Sequence, residues 1–193
     1  MLVLVPVKAF GRAKVRLAEV LDAPARAALA REMADRVLTA AAPLPVAVVC
    51  DDDEVAAWAE SRGARVLWRP GHGLNGAVSD AVSTLADEGV DRVLVTHADL
   101  PLATGYDELA VDDGIVVLVP DRHEDGTNVV SIPAGCGFTF AYGPGSFARH
   151  CAEVERLGLP LVVHRPRRLT WDVDVPADLD LPPDLPTAPL LCR

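Results

Sequence analysis

Two carboxylates separated by one valine, Asp172 and Asp174 in "LTWDVDVPADL", stand among apolar residues near the C-terminus. Like charges this close repel, so water, a basic partner or a metal ion must offset them. In an extended segment, residues i and i+2 point the same way. Asp172 and Asp174 would then share one face, with Val173 on the other. Asp99, in "VLVTHADLP", follows a predicted strand and offers a third carboxylate. Such oxygen ligands suit Mg²⁺, a hard cation, and the three together would make a site for one or two divalent ions. The plain alternatives are a turn cap before Pro101 for Asp99, and a polar edge strand or Asx-turn for the pair. Asp178 reads as a cap of the turn that follows, and Asp180 as part of the tail.

Cations and backbone donors occur in other loops. "VPVKAFGRAKVRL" places Gly11 among Lys8, Arg12, Lys14 and Arg16, just after an apolar run. Backbone amides near Gly11 and these side chains could cradle a triphosphate; the alternative is a solvated basic turn. The stretch matches neither a Walker A motif nor a dinucleotide fingerprint. In "DRHEDGTNVV", Gly126 and Thr127 offer an N–H and a hydroxyl to a phosphate or carboxylate. Asp121, Glu124 and Asp125 read as further ligands or as a solvated loop. "YGPGSFARH" leads through Gly143, Pro144 and Gly145 to Ser146 at a helix start, an anion site and an N-cap at once. "RPGHGLNGAV" places Gly71, Gly73, Asn75 and Gly76 where backbone could approach a flat base, or else forms a turn with Asn75 as N-cap. "DDDE" (Asp51 to Glu54) reads as a helix cap or an acidic pocket, and His97 as a structural or lid neighbour.

The elements that must position these residues alternate. "MLVLVPV", "PVAVVC", "ARVLWRP" and "DRVLVT" read as strands. Between them lie helices over "DAPARAALAREMADRVLTAAA", with Asp22 as N-cap, over "DDDEVAAWAESRG", and over "LNGAVSDAVSTLADEG". This is an α/β pattern with a mostly parallel sheet, and ligands on such sheets bind beyond the carboxyl ends of the strands. After Pro101 the order changes: "GIVVLVPD", "TNVVSIP" and "FTFAY" read as extended runs, "SFARHCAEVERLG" as a helix and "PLVVHRP" as a strand. One domain is expected over residues 1–181, followed by a proline-rich tail over 182–193.

The chain has 193 residues, half of them hydrophobic, and a net charge of −10. That acidity argues against nucleic acid or an anionic membrane as partner. A small anionic substrate stays open, since a metal or local basic patch inverts the field within a cleft. Cys50, Cys136, Cys151 and Cys192 form no C-x-x-C pair and read as reduced thiols. No segment approaches the about 20 apolar residues of a membrane span, and a cytoplasmic protein is expected. The sequence is compatible with a homodimer.

Taken in order, "VPVKAFGRAKVRL", "GLNGAV", "HADLP", "DGTNVV", "GPGSFARH" and "WDVDVPADL" resemble the 2-phospho-L-lactate or phosphoenolpyruvate guanylyltransferases of coenzyme F-420 biosynthesis. These belong to the MobA-like nucleotidyltransferase superfamily. The resemblance runs from Leu2 to about Leu179. It implies a Rossmann-like three-layer α/β domain with a mixed, mostly parallel sheet. It also implies transfer of GMP from GTP to a phosphorylated three-carbon acid, with release of pyrophosphate and with Mg²⁺, as two ions, as cofactor. Its metal-binding aspartates fall on Asp99, Asp172 and Asp174, its substrate-phosphate contacts on Thr127, Gly143 and Ser146, and its nucleotide-phosphate contacts on Lys8 and Lys14. Gly11, Asn75 and Gly76 complete the expected nucleotide site. A nucleotide-sugar glycosyltransferase also uses a D-x-D pair, but this pair follows the last strand and the basic first loop suits a triphosphate. A non-enzymatic receiver or ligand-binding module would place its acidic pair after the first strand, where Lys8 stands.

Overall fold

The computed structural model describes residues 1–112 and 114–181; the expected tail lies outside them. The strands are β1 (Leu2–Pro6), β2 (Val46–Cys50), β3 (Arg65–Trp68), β4 (Arg92–Thr96), β5 (Val116–Pro120), β6 (Thr127–Pro133) and β7 (Leu161–Val163). They form one sheet in the order β3-β2-β1-β4-β6-β5-β7. The first four run parallel, β6 is antiparallel to both β4 and β5, and β7 pairs parallel with β5. The helices are α1 (Ala23–Ala40), α2 (Asp53–Ser61), α3 (Gly73–Asp87), α4 (Ser146–Leu157) and a single turn, α5 (Arg167–Thr170).

The strands are apolar on both faces because both are covered. Val3, Val5, Val48 and Leu94 point to the face that packs on Ala34 and Val37 of α1 and on Val55 and Trp58 of α2. Leu2, Leu4, Val49 and Val95 point the other way, against Val78, Val82 and Leu85 of α3 and Val154 of α4. The period-2 alternation of each strand therefore feeds two cores and produces three layers. Helix ends follow local chemistry. Asp22 Oδ1 accepts the Ala25 amide at 2.8 Å, and Asp52 Oδ1 accepts that of Val55 at 3.3 Å. The "DDDE" stretch is thus a helix start.

Chain direction fixes where the site lies. From β1 the chain moves outward to β2 and β3, then α3 carries it back to β4 on the other side of β1. The carboxyl ends of β1 and β4 therefore border the switch point, where side chains from two diverging loops meet. Because β6 is antiparallel, its first residue, Thr127, lies at that same edge, and the His97 amide donates to Asn128 O at 3.0 Å.

Two expectations change. "FTFAY" is not a strand. Side chains take the place of a ladder: Thr139 N donates to Glu153 Oε1 at 2.7 Å, Ala141 N to His150 Nε2 at 2.9 Å and Tyr142 N to Asn75 Oδ1 at 2.7 Å. Satisfied by side chains, these three amides need no partner strand. Also, α3 begins at Gly73 after His72, so Asn75 lies within the first turn and is not the N-cap.

Candidate active site

A cleft of about 770 Å³ opens at the carboxyl edge of the sheet. Lys8 and Lys14 from the loop after β1 line it, with Asp99 from the loop after β4. Thr127, Gly143 and Ser146 form another part of its wall, and Asp172 and Asp174 complete it. Three residues expected in the nucleotide site are not on this wall. Gly11 is exposed, has no left-handed backbone requirement, and a Cβ there would meet nothing within 4 Å. Asn75 engages the Tyr142 backbone, its amide accepting from N at 2.7 Å and donating to O at 3.4 Å. Gly76 faces its own helix start, with His72 Cβ 3.4 Å from where its Cβ would be. Gly73, Leu74 and Ala77 line the cleft instead.

Lys14 adopts a left-handed backbone (φ 53°), unusual for a residue with a side chain. Its side chain is only 9% exposed. Nζ lies 2.5 Å from Asp99 Oδ2 and 3.1 Å from Asp174 Oδ1, so the lysine bridges the two carboxylates. Arg16 approaches Asp174 from solvent at 3.4 Å. Burial opposes charge on Lys14 and Asp99, but their mutual attraction outweighs it: the ammonium is held above its ordinary range and the Asp99 carboxyl below its own.

Asp172 has no cation at hydrogen-bond distance; Arg122 Nη1 lies 4.0 Å from its Oδ1. Burial, then the charges of Asp99 and Asp174, push its carboxyl up to about 7. Val173, between the two aspartates, is fully buried against Leu17, Leu29 and Met33, and its amide donates to Asp99 O at 3.2 Å. This bond and the apolar anchor bring the D-x-D segment to the Asp99 loop.

The residues fit a divalent cation. Two carboxylates converge on one ammonium, Asp172 lines the same cleft, and the buried Asp99 Oδ1 has no hydrogen-bond partner. Among the described residues, no three His, Cys, Asp or Glu side chains already stand in a coordination arrangement; Lys14 Nζ lies between Asp99 and Asp174. Asp121 is a loop organiser: its Oδ1 accepts from His123 N and Asp125 N, and its Oδ2 from Gly126 N. Gly126 is required there, since a Cβ would come within 2.6 Å of Asp121 Oδ2. Glu124 pairs with Arg165 at the surface. His97 packs on Tyr142, with ring centroids 5.0 Å apart, and burial lowers its pKa.

Sequence reasoning missed a clamp beneath the D-x-D segment. Asp178 is more than a turn cap. Its Oδ2 accepts the amides of Asp174 (2.6 Å) and Val175 (2.8 Å), and its Oδ1 pairs with Arg122. Arg122 also donates to Asp172 O at 3.1 Å and lies over the Trp171 ring, 4.4 Å from its centroid. Asp178 is 3% exposed, and burial alone would raise its pKa. The amide donors and Arg122 together lower it instead. The four-residue spacing of Asp174 and Asp178 carries a turn signal, but nothing local points to Arg122.

The profile of the family described as "Guanylyl transferase CofC like" matches residues 1–181. The chain is 38% identical over 185 residues to a protein of Sphaerobacter thermophilus named phosphoenolpyruvate guanylyltransferase, covering 91% of this chain and 89% of the relative. Two solved structures share the fold. A proposed nucleotide-diphospho-sugar transferase from Desulfovibrio desulfuricans G20 superposes with a TM-score of 0.70 at 18% identity, over 90% of this chain and 82% of that one. A 4-diphosphocytidyl-2C-methyl-D-erythritol synthase does so with a TM-score of 0.59 at 16% identity, over 92% and 93%. Among the described residues, no helix is long and apolar enough to cross a membrane.

Two outcomes follow from this geometry. Asp178→Asn removes the carboxylate that holds two amides and a guanidinium. It should cost about 1–3 kcal/mol in urea denaturation. In hydrogen exchange the amides of Asp174 and Val175 should lose protection while β1 and β4 keep theirs; unchanged protection at 174 and 175 would remove the clamp's role. His150, fully buried in α4, has its pKa lowered to about 4 by burial, with Arg149 and His97 adding and Glu153 opposing. The unfolded chain takes up this proton near pH 6.5, the folded one only near pH 4. The histidine's contribution is therefore intact above about pH 6.5 and lost between there and pH 4, up to about 3 kcal/mol. Denaturation across that pH range should show the slope in the native protein and not in His150→Asn.

Proposed function

Because the chain belongs to the CofC-like guanylyl transferase family and is a nucleotidyltransferase, we propose that it transfers GMP from GTP to phosphoenolpyruvate. The reading rests on one juxtaposition: the lysines after β1, the three carboxylates and the Thr127–Ser146 corner share a single cleft. A cationic loop suits a triphosphate, and a hydroxyl corner suits the phosphate of a second, smaller substrate. The name of the Sphaerobacter relative points to phosphoenolpyruvate for that substrate. 2-Phospho-L-lactate, which differs by two hydrogens across one carbon–carbon bond, is the alternative acceptor. Either product would enter coenzyme F-420 biosynthesis.

The residue types suit this chemistry. The acceptor phosphate is already an anion near neutral pH, so its oxygen can attack the α-phosphorus of GTP without a general base. As the new P–O bond forms, the bond from the α-phosphorus to the bridging oxygen breaks, and pyrophosphate leaves with the electron pair. The obstacle is repulsion between two polyanions. Lys8 and Lys14 reduce it and stabilise charge on the departing pyrophosphate. Asp99, Asp172 and Asp174 would hold Mg²⁺, as two ions, which supplies further neutralisation of the phosphates. With the nucleotide bound, Lys14 would be positioned to exchange its carboxylate partners for triphosphate oxygens. Thr127, Gly143 and Ser146 orient the acceptor, and positioning lowers the barrier beyond what charge alone achieves.

The test is an acceptor and nucleotide screen with Mg²⁺, read by pyrophosphate release and product mass. GTP with phosphoenolpyruvate should yield the guanylylated acid, and Asp99→Asn should lower turnover by about 10²-fold or more. Turnover of a nucleotide sugar, with no pyrophosphate from any phosphorylated three-carbon acid, would overturn the reading.

A further inference from the structure

We propose that His150 is a positioning residue that fixes the Thr127 hydroxyl so that its single proton is directed into the cleft, toward the phosphate of the acceptor. The inference rests on the proposed function only in taking this corner as the place of that phosphate.

The argument is a hydrogen-bond count. The Ala141 amide donates to His150 Nε2 at 2.9 Å. An amide N–H can only donate, so Nε2 must carry the lone pair and the ring proton must sit on Nδ1. Nδ1 lies 3.0 Å from Thr127 Oγ1 and therefore donates to it. The Ser146 hydroxyl donates to the same oxygen at 3.3 Å. A threonine oxygen has two lone pairs and one proton, and both lone pairs are now occupied. Among the described residues the Thr127 hydroxyl has no acceptor, although the residue is only 1% exposed and borders the cleft. The open direction is toward a ligand.

Nearby backbone groups do not supply that proton. Ser146 N is spent on Gly143 O at 3.0 Å, and Phe147 N on Asp125 O at 3.1 Å. The two amides that open α4 are thus engaged, and the corner relies on its hydroxyls. The ring's surroundings hold the arrangement in place. Phe138 and Tyr142 pack around His150 with centroids at 5.5 and 5.1 Å. This wall keeps water from the ring and disfavours its charged form. A second ring proton would also oppose the Ala141 N–H, donor against donor.

Long-range ¹H–¹⁵N NMR on the wild-type protein at neutral pH reads the tautomer directly. His150 should be neutral with the proton on Nδ1; a proton on Nε2 overturns the inference whatever the variants do. Kinetics read the consequence. His150→Gln can still accept from Ala141 but loses the donor to Thr127, whereas the amide of His150→Asn falls where Nδ1 was. H150Q should raise the KM for phosphoenolpyruvate about tenfold, the weight of one hydrogen bond to a charged group. The KM for GTP should stay unchanged, and H150N should recover most of the loss. A purely structural histidine would move both KM values together, and that result overturns the inference. Should the wild-type protein transfer GMP to no acceptor, the proposed function fails by itself. Calorimetric binding of phosphoenolpyruvate and inorganic phosphate then decides the inference: weakened in H150Q and retained in H150N supports it, equal in all three overturns it.

Discussion

The site depends on the repulsion among Asp99, Asp172 and Asp174 in a partly buried cleft. Lys14 offsets two of these charges at hydrogen-bond distance and not the third, and burial, with the charges of Asp99 and Asp174, pushes the Asp172 carboxyl to about 7. The lysine reaches them only because its backbone takes a left-handed turn after β1. Conformational strain in one loop thus stabilises a charge cluster formed by two others. Such strain persists only where its surroundings hold it. Here they are the buried Phe10 and Leu17 on either side of the loop, and the Asp174 segment it meets.

Topology makes this meeting possible. The reversal of strand order beside β1 separates two loops that would otherwise lie against each other, and the gap is the cleft. The D-x-D segment comes from beyond the sheet, and it is held by three kinds of contact. Val173 supplies apolar burial, its amide bonds Asp99 O, and Asp178 with Arg122 fixes the following turn. Asn128 adds a bond from β6 to Leu169 O at 3.0 Å, just before the segment begins. Each is modest; together they hold carboxylates where their repulsion would otherwise spread them.

The sequence reveals those features whose cause is local. Strand alternation, the caps at Asp22 and Asp52, and the positions of the loops at the sheet edge follow from spacing within a few residues. Asp172 and Asp174 are readable as a pair because extended backbone fixes i and i+2. Features set by distant partners are not readable. Nothing near Asn75 in the chain shows that its amide bonds the Tyr142 backbone, 67 positions on. Asp178 looks like a simple cap until Arg122, 56 positions earlier, joins it. The "FTFAY" run has the composition of a strand, but three of its amides find side-chain acceptors on α3 and α4 and its propensity is overridden.

That override separates the two halves of the cleft by the way they are built. The half bordered by β1 and β4 rests on a parallel ladder, where backbone bonds fix the loops largely independently of side-chain identity. The half bordered by Thr127 and Ser146 rests on side chains: Asn75, His150 and Glu153 each hold an amide of residues 139–142, and His150 also holds Thr127. A network of this kind is rigid while every member is satisfied and costly when one is not. A ladder tolerates exchange of the side chains it carries, whereas here one substitution changes both a segment's anchoring and a hydroxyl's direction. On the proposed function, selectivity for the smaller substrate would be concentrated in a few buried polar residues, while phosphate binding by the lysine loop would depend on charge and on the sheet edge that presents it.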